Sequence, residues 1–294
     1  MLNKKRILSL LLLFSLIFPS LSLADAAEGD VIVTLGEDLK ENEKQKLLEE
    51  MNAPENALMV VVTNEEEHKY LGQYIPKATI GTRALSSSAI TIGAPGSGLE
   101  IKTNNITSIT DDMFTNALIT AGVKDASIYI TAPIPVSGTA ALTGIIKAYE
   151  LSSDQAIPED VKQIANEEMV KTVELGKSIG ADEAAALMAK IKDQIAQHAP
   201  KTDEELRAII EAAAKELGIT LTEAEITSLI SLFNKMKDLN IDWNQVNEQL
   251  HLAKEKITNF LGSEEGQTFL SKLQDFLVSL IDAIKAIFSS EATN

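Results

Sequence analysis

The chain has 294 residues, a formal net charge of −17 and no cysteine. The missing cysteine excludes disulfide bonds, a cysteine nucleophile and a lipid-modified cysteine anchor, so a packed apolar core has to hold the fold. Because an acidic surface repels phosphates, binding to nucleic acid or to anionic lipid is also disfavoured.

Residues 1–26 have the pattern of a secretory signal peptide. Lys4, Lys5 and Arg6 form a basic start, an apolar run over 7–18 follows, and small residues come next. This order of basic, apolar and small residues is typical of exported proteins. We therefore expect an extracytoplasmic protein.

The predicted cleavage site lies between Ala26 and Ala27, with Ala24 as the second small residue that the peptidase requires. Cleavage would remove three basic residues and one acidic residue, which changes the formal charge from −17 to −19. An uncleaved membrane anchor is the alternative. It is disfavoured because Pro19 interrupts the apolar run before the ~20 residues that a spanning helix needs.

Residues 27–152 are predicted to form a mixed α/β sheet domain. Short apolar runs that end in threonine predict strands buried on both faces, at 31–34, 60–63 and 128–131. Periodicity and capping residues predict helices at 42–51, 65–71, 110–121 and 139–149. Alternating residues predict a hairpin of two strands, 86–92 and 99–105, with the glycine-rich segment 93–98 as its turn.

The segment 93–98 also has the glycine spacing of a phosphate-binding loop. Leu99 occupies the position where such a loop carries its lysine, so nothing would hold the nucleotide phosphates. No cofactor is predicted.

Residues 153–294 are predicted to form an all-α helical bundle, which makes the whole chain an α+β protein. Helices are expected at 158–175 and 182–197. Thr202 with Glu205, and Thr222 with Glu225, have the spacing of capping boxes that begin two more helices. Apolar residues from Trp243 onward recur every three or four positions, as in a helix that packs on another helix.

The predicted last helix, 264–288, has one broad apolar stripe and a neutral polar face. Packing on the bundle is favoured because a helix that seeks a membrane surface is usually richer in lysine and arginine. Peripheral membrane contact or contact with a partner protein is the alternative.

Two polar clusters are candidate ligand sites. The first joins Arg83 to Ser86, Ser87 and Ser88, and the second is Ser137, Gly138 and Thr139 at the start of a predicted helix. Backbone amides at a helix start can hold an anionic group, and ligand sites favour strand-to-helix loops of α/β sheets. The alternatives are an ordinary edge strand for the first cluster and ordinary helix capping for the second.

Asp238, Asn240 and Asp242 begin like a calcium-binding loop. Trp243 stands where the loop needs glycine, and Gln249 stands where it needs a bidentate glutamate. The interpretation that we prefer is a helix cap at Asp242, with no metal site; calcium is the weak alternative.

Four blocks resemble the YpuA-like family of secreted proteins of Bacillus and its relatives, a domain of unknown function (number 1002). The blocks are 26–36, 80–84, 136–144 and 232–243. The resemblance spans nearly the whole mature chain. It implies an extracytoplasmic protein of a Gram-positive envelope, and it supplies no catalytic residues.

These observations predict a secreted, non-enzymatic protein that binds a cell-wall component or an envelope protein. The alternative is an extracellular hydrolase that acts on cell-wall material, with Ser137 or paired carboxylates as its chemistry. No nucleic-acid partner and no transmembrane segment after removal of the leader are expected.

Overall fold

A computed structural model describes residues 27–153, 156–239 and 241–262. These residues form an α+β fold around a five-stranded mixed sheet. Its strands are β1 (Val31–Gly36), β2 (Leu58–Val62), β3 (Ser87–Ile92), β4 (Leu99–Thr103) and β5 (Ala126–Thr131). The predicted leader and the predicted helix 264–288 lie outside the described residues, and so do Ala24 and Ala26.

Helices flank the sheet in the first part of the chain and form the rest of the described structure. They are α1 (Glu41–Glu50), α2 (Asn64–Leu71), α3 (Lys77–Ile80), α4 (Asp111–Thr120), α5 (Thr139–Ser153), α6 (Glu159–Ile179), α7 (Ala181–His198), α8 (Asp203–Glu216), α9 (Glu223–Asp238) and α10 (Trp243–Gly262). Within the described ranges, none of them is long and apolar enough to cross a membrane.

The strands lie in the order β2-β1-β3-β5-β4. Strand β1 is parallel to β2, and β4 is parallel to β5, while the central strand β3 is antiparallel to both of its neighbours. The other four strands therefore point the same way. Their carboxyl ends lie at one edge of the sheet, together with the start of β3.

The two faces of the sheet bury different helices because successive side chains of a strand point to opposite sides. Val33 and Leu35 of β1 pack with Leu47 of α1. Ile32, on the other face, belongs to the main apolar cluster, which includes Phe114 of α4 and Ile145 of α5. The helices α4 and α5 thus cover the face opposite to α1.

The predicted hairpin of 86–92 and 99–105 is wrong. Strand β5 lies between these two strands and pairs with each of them. The intervening loop is tied to the residue before β5, because Gly93 N donates to Asp125 O at 2.7 Å and Gly98 N donates to Asp125 Oδ1 at 2.9 Å. Alternation in a short segment indicates a strand, but it does not identify the strand's partner.

The apolar core continues past residue 152. The main cluster joins residues of the sheet and its helices to Val161 and Met169 of α6 and to Val246 of α10. A second cluster lies among α6, α7, α8 and α9, with Leu187 and Phe233 fully buried. The mixed sheet followed by helices agrees with the predicted α+β class, and the division into two domains at residue 152 stays a prediction.

The helix starts predicted from capping residues are largely confirmed. Thr222 accepts a hydrogen bond from Glu225 N, and the Glu225 carboxylate accepts one from Thr222 N, as in a full capping box. Thr202 also caps its helix through Glu205 N, but the Glu205 carboxylate accepts from Lys201 N instead. One box is therefore complete and the other is half formed.

One ion pair is fully buried between α6 and α7. Lys192 Nζ lies 2.8 Å from Glu168 Oε1, and it also donates to Asn116 O of α4 at 2.8 Å. Thr120 donates to the second carboxylate oxygen of Glu168. Burial lowers the pKa of Lys192, and the Glu168 carboxylate opposes that change. The pair connects α4, α6 and α7 through charged groups that are shielded from solvent.

Candidate functional site

A cleft of about 410 Å³ opens at the edge of the sheet where β1, β2 and β5 end. It lies between α2, the segment that follows α3, and the loop that joins β5 to α5. Loops at the carboxyl ends of strands are common ligand sites in α/β sheets because they lie outside the packed core and carry helix starts. We call this feature the edge cleft.

Both polar clusters predicted from the sequence contribute to the edge cleft. Its lining includes Arg83 and Ser86 from the first cluster and Ser137, Gly138 and Thr139 from the second. The two clusters meet because β3 is antiparallel to β5. The residues before β3 and the residues after β5 therefore lie at the same edge.

Ser87 and Ser88 belong to the first predicted cluster but do not line the edge cleft. Both are fully buried inside β3. Ser87 Oγ accepts from Gly36 N at 3.3 Å, and Ser88 Oγ lies 2.8 Å from Thr34 Oγ1 in a hydrogen bond between strands. Their hydroxyls satisfy the sheet and are not available to a ligand.

Arg83 and Ser86 offer groups that the protein itself does not use. Arg83 is exposed and makes no ion pair with any residue that the structure describes. Ser86 is 2% exposed, and its hydroxyl bonds to no described residue. Since buried hydroxyls normally find a partner, a ligand or water in the cleft is the expected partner of Ser86.

The start of α5 forms the opposite wall. Gly138 has φ +96, and a Cβ there would lie 2.7 Å from Ile106 Cγ2, so glycine is required on both counts. Ser137 Oγ lies 3.2 Å from Thr139 Oγ1. The first amides of a helix have no acceptor within the helix, so this wall favours an anionic group.

Glu67 is the site residue that the sequence analysis missed. It lines the edge cleft from α2 and is 1% exposed. Asn64 Nδ2 donates to Glu67 Oε2 at 2.9 Å, and Oε1 makes no hydrogen bond with the described residues. The acidic run 65–67 resembles an ordinary first helical turn, but the four-residue spacing between Glu67 and buried Leu71 was a usable signal.

The environment of Glu67 favours its neutral form. Burial raises the pKa of the Glu67 carboxyl to about 7, against the hydrogen bond from Asn64. The carboxylates of Asp38 and Glu37 raise it further. Near neutral pH this carboxyl can therefore either donate or accept a proton within the cleft.

The next residue, His68, helps to hold the shape of the edge cleft. Its Nε2 lies 2.9 Å from the carbonyl oxygen of Gly81, in the segment that carries Arg83. Gly81 has φ +89, a conformation that glycine adopts without strain. The contact joins α2 to the loop beside Arg83, so it sets the width of the opening between them.

Asp242, the third residue of the weak calcium alternative, caps a helix in the structure. Asp242 Oδ1 accepts from Asn244 N at 3.0 Å and from Gln245 N at 3.1 Å, which caps α10 as predicted. Asp238 is exposed at the end of α9, and Asn240 lies outside the described residues. No group of three or more acidic or histidine side chains that could hold a metal occurs within the described part of the chain.

The described residues thus define an α+β protein with a mixed sheet and a polar cleft at one edge of it. Residues 35–253 match the family described as "Protein of unknown function (DUF1002)". The chain is also 59% identical, over 274 residues, to "Uncharacterized protein YpuA" of Bacillus subtilis (strain 168), across 93% of this chain and 94% of that protein. No solved structure matches the chain. The chain belongs to the DUF1002 family, and the resemblance noted in the sequence is confirmed.

Proposed function

We propose that this chain is an exported binding protein of a Gram-positive cell envelope, and that the edge cleft is its ligand site. One observation carries the proposal. Residues from two segments that are far apart in the sequence, Arg83 with Ser86 and Ser137 with Thr139, line one cleft beside the buried carboxyl of Glu67. Arg83 and Ser86 have no protein partner among the described residues, so their polar groups are available to a ligand.

The cleft offers groups that suit a polar ligand with a carboxylate. The Arg83 guanidinium and the first amides of α5 would bind the carboxylate, because both present N–H donors to an anion. Hydroxyls of Ser86 and Ser137 would bind neighbouring polar groups. Glu67 would face an amide or hydroxyl, to which its carboxyl can donate or from which it can accept.

The location of the ligand follows from the predicted leader. Residues 1–26 have the order of an exported chain, and the relative from Bacillus subtilis carries no assigned activity in its name. Because the cleft suits a carboxylate and the leader predicts export, the ligand class that we propose is a carboxylate-bearing component of the cell wall. An envelope protein is the alternative partner.

A cell-wall hydrolase is the second candidate, and Glu67 is the observation that favours it. A carboxyl with a pKa of about 7 in a polar cleft has the property of a general acid or base. Ser137, the nucleophile considered from sequence, has Thr139 as its hydrogen-bond partner, and neither histidine nor a carboxylate bonds to it among the described residues. In this alternative Glu67 would act on a water molecule.

The test is co-sedimentation of the mature chain, residues 27–294, with isolated cell walls. We expect Arg83→Ala to weaken binding about tenfold or more, since a charge-assisted contact is lost. Lys177→Ala is the matched control, because Lys177 is an exposed cation at the end of α6, away from the cleft. Equal binding by wild type and Arg83→Ala would contradict the proposal.

The same assay separates binding from hydrolysis. Release of soluble wall fragments by the wild type, lost in Glu67→Gln, would replace the binding function with the hydrolase. If bound walls stay intact, the binding function stands. Export is tested apart from both, by finding the chain without its first 26 residues in the culture medium or the wall fraction; an intact chain recovered only from the cytosol would contradict it.

A further inference from the structure

The edge cleft has an apolar side in addition to its polar groups. Ile134 and Pro135 line it from the loop between β5 and α5, and Ile134 is 47% exposed. Ile80 and Leu85, which are buried, also contribute to the lining. Ligand sites combine apolar walls with a few polar groups, so this surface is expected to contact an apolar part of the ligand. We call Ile134 and Pro135 the apolar lip.

The fold holds the apolar lip in place. The loop is anchored on both sides of Ile134, because Asn105 Nδ2 donates to Ala132 O at 2.9 Å and Val136 N donates to Asn105 O at 3.0 Å. The prolines directly before and after Ile134 have a fixed φ, which restricts the loop further. The Ile134 side chain therefore stays at the cleft instead of joining the core.

Two buried side chains each present an unpaired oxygen to the cleft. Ser86 is 2% exposed and Glu67 is 1% exposed, and both line the edge cleft. Neither Ser86 Oγ nor Glu67 Oε1 bonds to a described residue, and neither is among the unbonded atoms that the protein closes off from water. A hydroxyl and a protonated carboxyl can each donate and accept, so together they can pair with the N–H and the C=O of one peptide bond.

The remaining polar groups of the edge cleft suit a terminal carboxylate. Arg83 is exposed and makes no ion pair with the described residues. At the start of α5, Ala141 N donates to Gly138 O at 3.1 Å, whereas the amides of Thr139 and Ala140 bond to no described residue. A guanidinium and free helix amides both donate N–H groups to an anion. The cleft thus offers partners for a carboxylate, a peptide bond and an apolar side chain.

We propose, resting on the function proposed above, that the edge cleft binds the carboxyl-terminal end of a peptide whose last side chain is apolar. Arg83 and the start of α5 bind the carboxylate, Ser86 and Glu67 bind the last peptide bond, and the apolar lip contacts the last side chain. The volume of about 410 Å³ lies within the roughly 300–1,000 Å³ of small-molecule sites. A sugar acid fits less well, because its ring hydroxyls would lie against the apolar lip without partners.

The test is an NMR titration of the mature chain, residues 27–294, with acetyl-alanyl-leucine. We expect saturable binding. The carboxamide of the same peptide should bind at least about tenfold more weakly, because Arg83 then has no anion to contact. Acetyl-alanyl-serine and glucuronate keep the carboxylate but lack the apolar side chain, so they should also bind about tenfold more weakly.

Ile134→Ser tests the apolar lip. We expect the preference for acetyl-alanyl-leucine over acetyl-alanyl-serine to fall from about tenfold to about threefold or less. Leu217→Ser is the matched control and should keep the preference, because Leu217 is 41% exposed at the end of α8 and does not line the cleft. The preference is a ratio of two affinities within one variant, so a change in stability does not produce it.

Two sources supply such a peptide end, and the stereochemistry of the probe distinguishes them. Peptides of bacterial cell walls end in D residues, whereas proteins end in L residues. Tighter binding of the D,D form of acetyl-alanyl-leucine would identify a wall peptide as the ligand. Tighter binding of the L,L form would identify the end of an envelope protein. Either preference supports the proposal.

Three results would overturn the proposal. They are no saturable binding of either form, a carboxamide that binds as tightly as the free acid, and an Ile134→Ser variant that keeps the full preference for leucine. If one of these occurs while Arg83→Ala still loses wall binding, the edge cleft remains a ligand site and its ligand is not a peptide end. If Arg83→Ala binds walls like the wild type, the proposed function itself fails, and this proposal fails with it.

Discussion

The edge cleft and the Lys192–Glu168 ion pair both place an ionisable side chain in the interior, but its surroundings differ between the two. Lys192 and Glu168 contact each other and are surrounded by α4, α6 and α7. Glu67 has one oxygen bonded to Asn64 and the other without a protein partner, beside a cleft. The comparison teaches that a buried ionisable group that lies against an opposite charge inside the helices serves the fold, and that one with an open side is available to a ligand.

Breaking the ion pair should have the largest effect on stability. We expect Lys192→Met to reduce the free energy of unfolding by about 3–5 kcal/mol, because Glu168 would remain buried without a compensating charge. The double variant Lys192→Met with Glu168→Leu should recover most of this loss. Urea unfolding of the three proteins measures the effect, and a double variant as unstable as the single one would show that the pair itself stabilises the fold.

The pH dependence of the free energy of unfolding should report the raised pKa of Glu67. The pKa of Glu67 is raised from its ordinary value of 4.5 to about 7. Between these values the native state holds a proton that the unfolded state releases, so stability falls as the pH rises through this window. The difference in pKa corresponds to about 3 kcal/mol.

Glu67→Gln cannot titrate, so it should lose that part of the decline with pH. The measurement is the urea midpoint of wild type and variant at pH 4.5 and at pH 7.5. Parallel changes in the two proteins would show that Glu67 does not carry a raised pKa.

The capping boxes test the helical half with a smaller effect. Thr222→Ala should cost about 1 kcal/mol, because the Glu225 amide loses its acceptor and Glu225 loses the hydroxyl that donates to it. Thr202→Ala, at the half-formed box, should cost less. Thermal unfolding of both variants compares them, and a larger loss at Thr202 would contradict the assignment of the two caps.

Arg83→Ala should have the smallest effect on stability, within about 0.5 kcal/mol, because the side chain is exposed and makes no ion pair with the described residues. Wall binding should fall in the same variant. A loss of stability comparable with that of Thr222→Ala would instead give Arg83 a structural role.

The helical half could be predicted well because its signals are local. Capping residues lie within one turn of the helix that they begin, and one apolar stripe identifies the buried face. The Lys192–Glu168 pair could not be predicted in this way. Its two members lie on different helices, and nothing in the sequence distinguishes them from charged neighbours such as Glu167 and Lys190.

The sheet half was harder because strand pairing is not local. Residues 86–92 were correctly expected to form a strand, but its neighbours are β1 and β5 rather than the next strand along the chain. The same pairing brings Arg83 and Ser86 to the start of α5, which the sequence presented as two unrelated clusters. Glu67 lies in an acidic run that resembles an ordinary first helical turn, and its raised pKa depends on burial and on Asp38 and Glu37, which only the fold brings near it.

The pKa of the Glu67 carboxyl, measured by carbon NMR with and without solubilised wall fragments, tests the account of the edge cleft most directly. We predict a value of about 7 in the free protein and a clear change when the fragments bind, because the ligand replaces water beside the open oxygen. A pKa near 4.5 in the free protein would contradict the account of the Glu67 environment. A pKa that the fragments leave unchanged while the protein binds walls would place the ligand elsewhere.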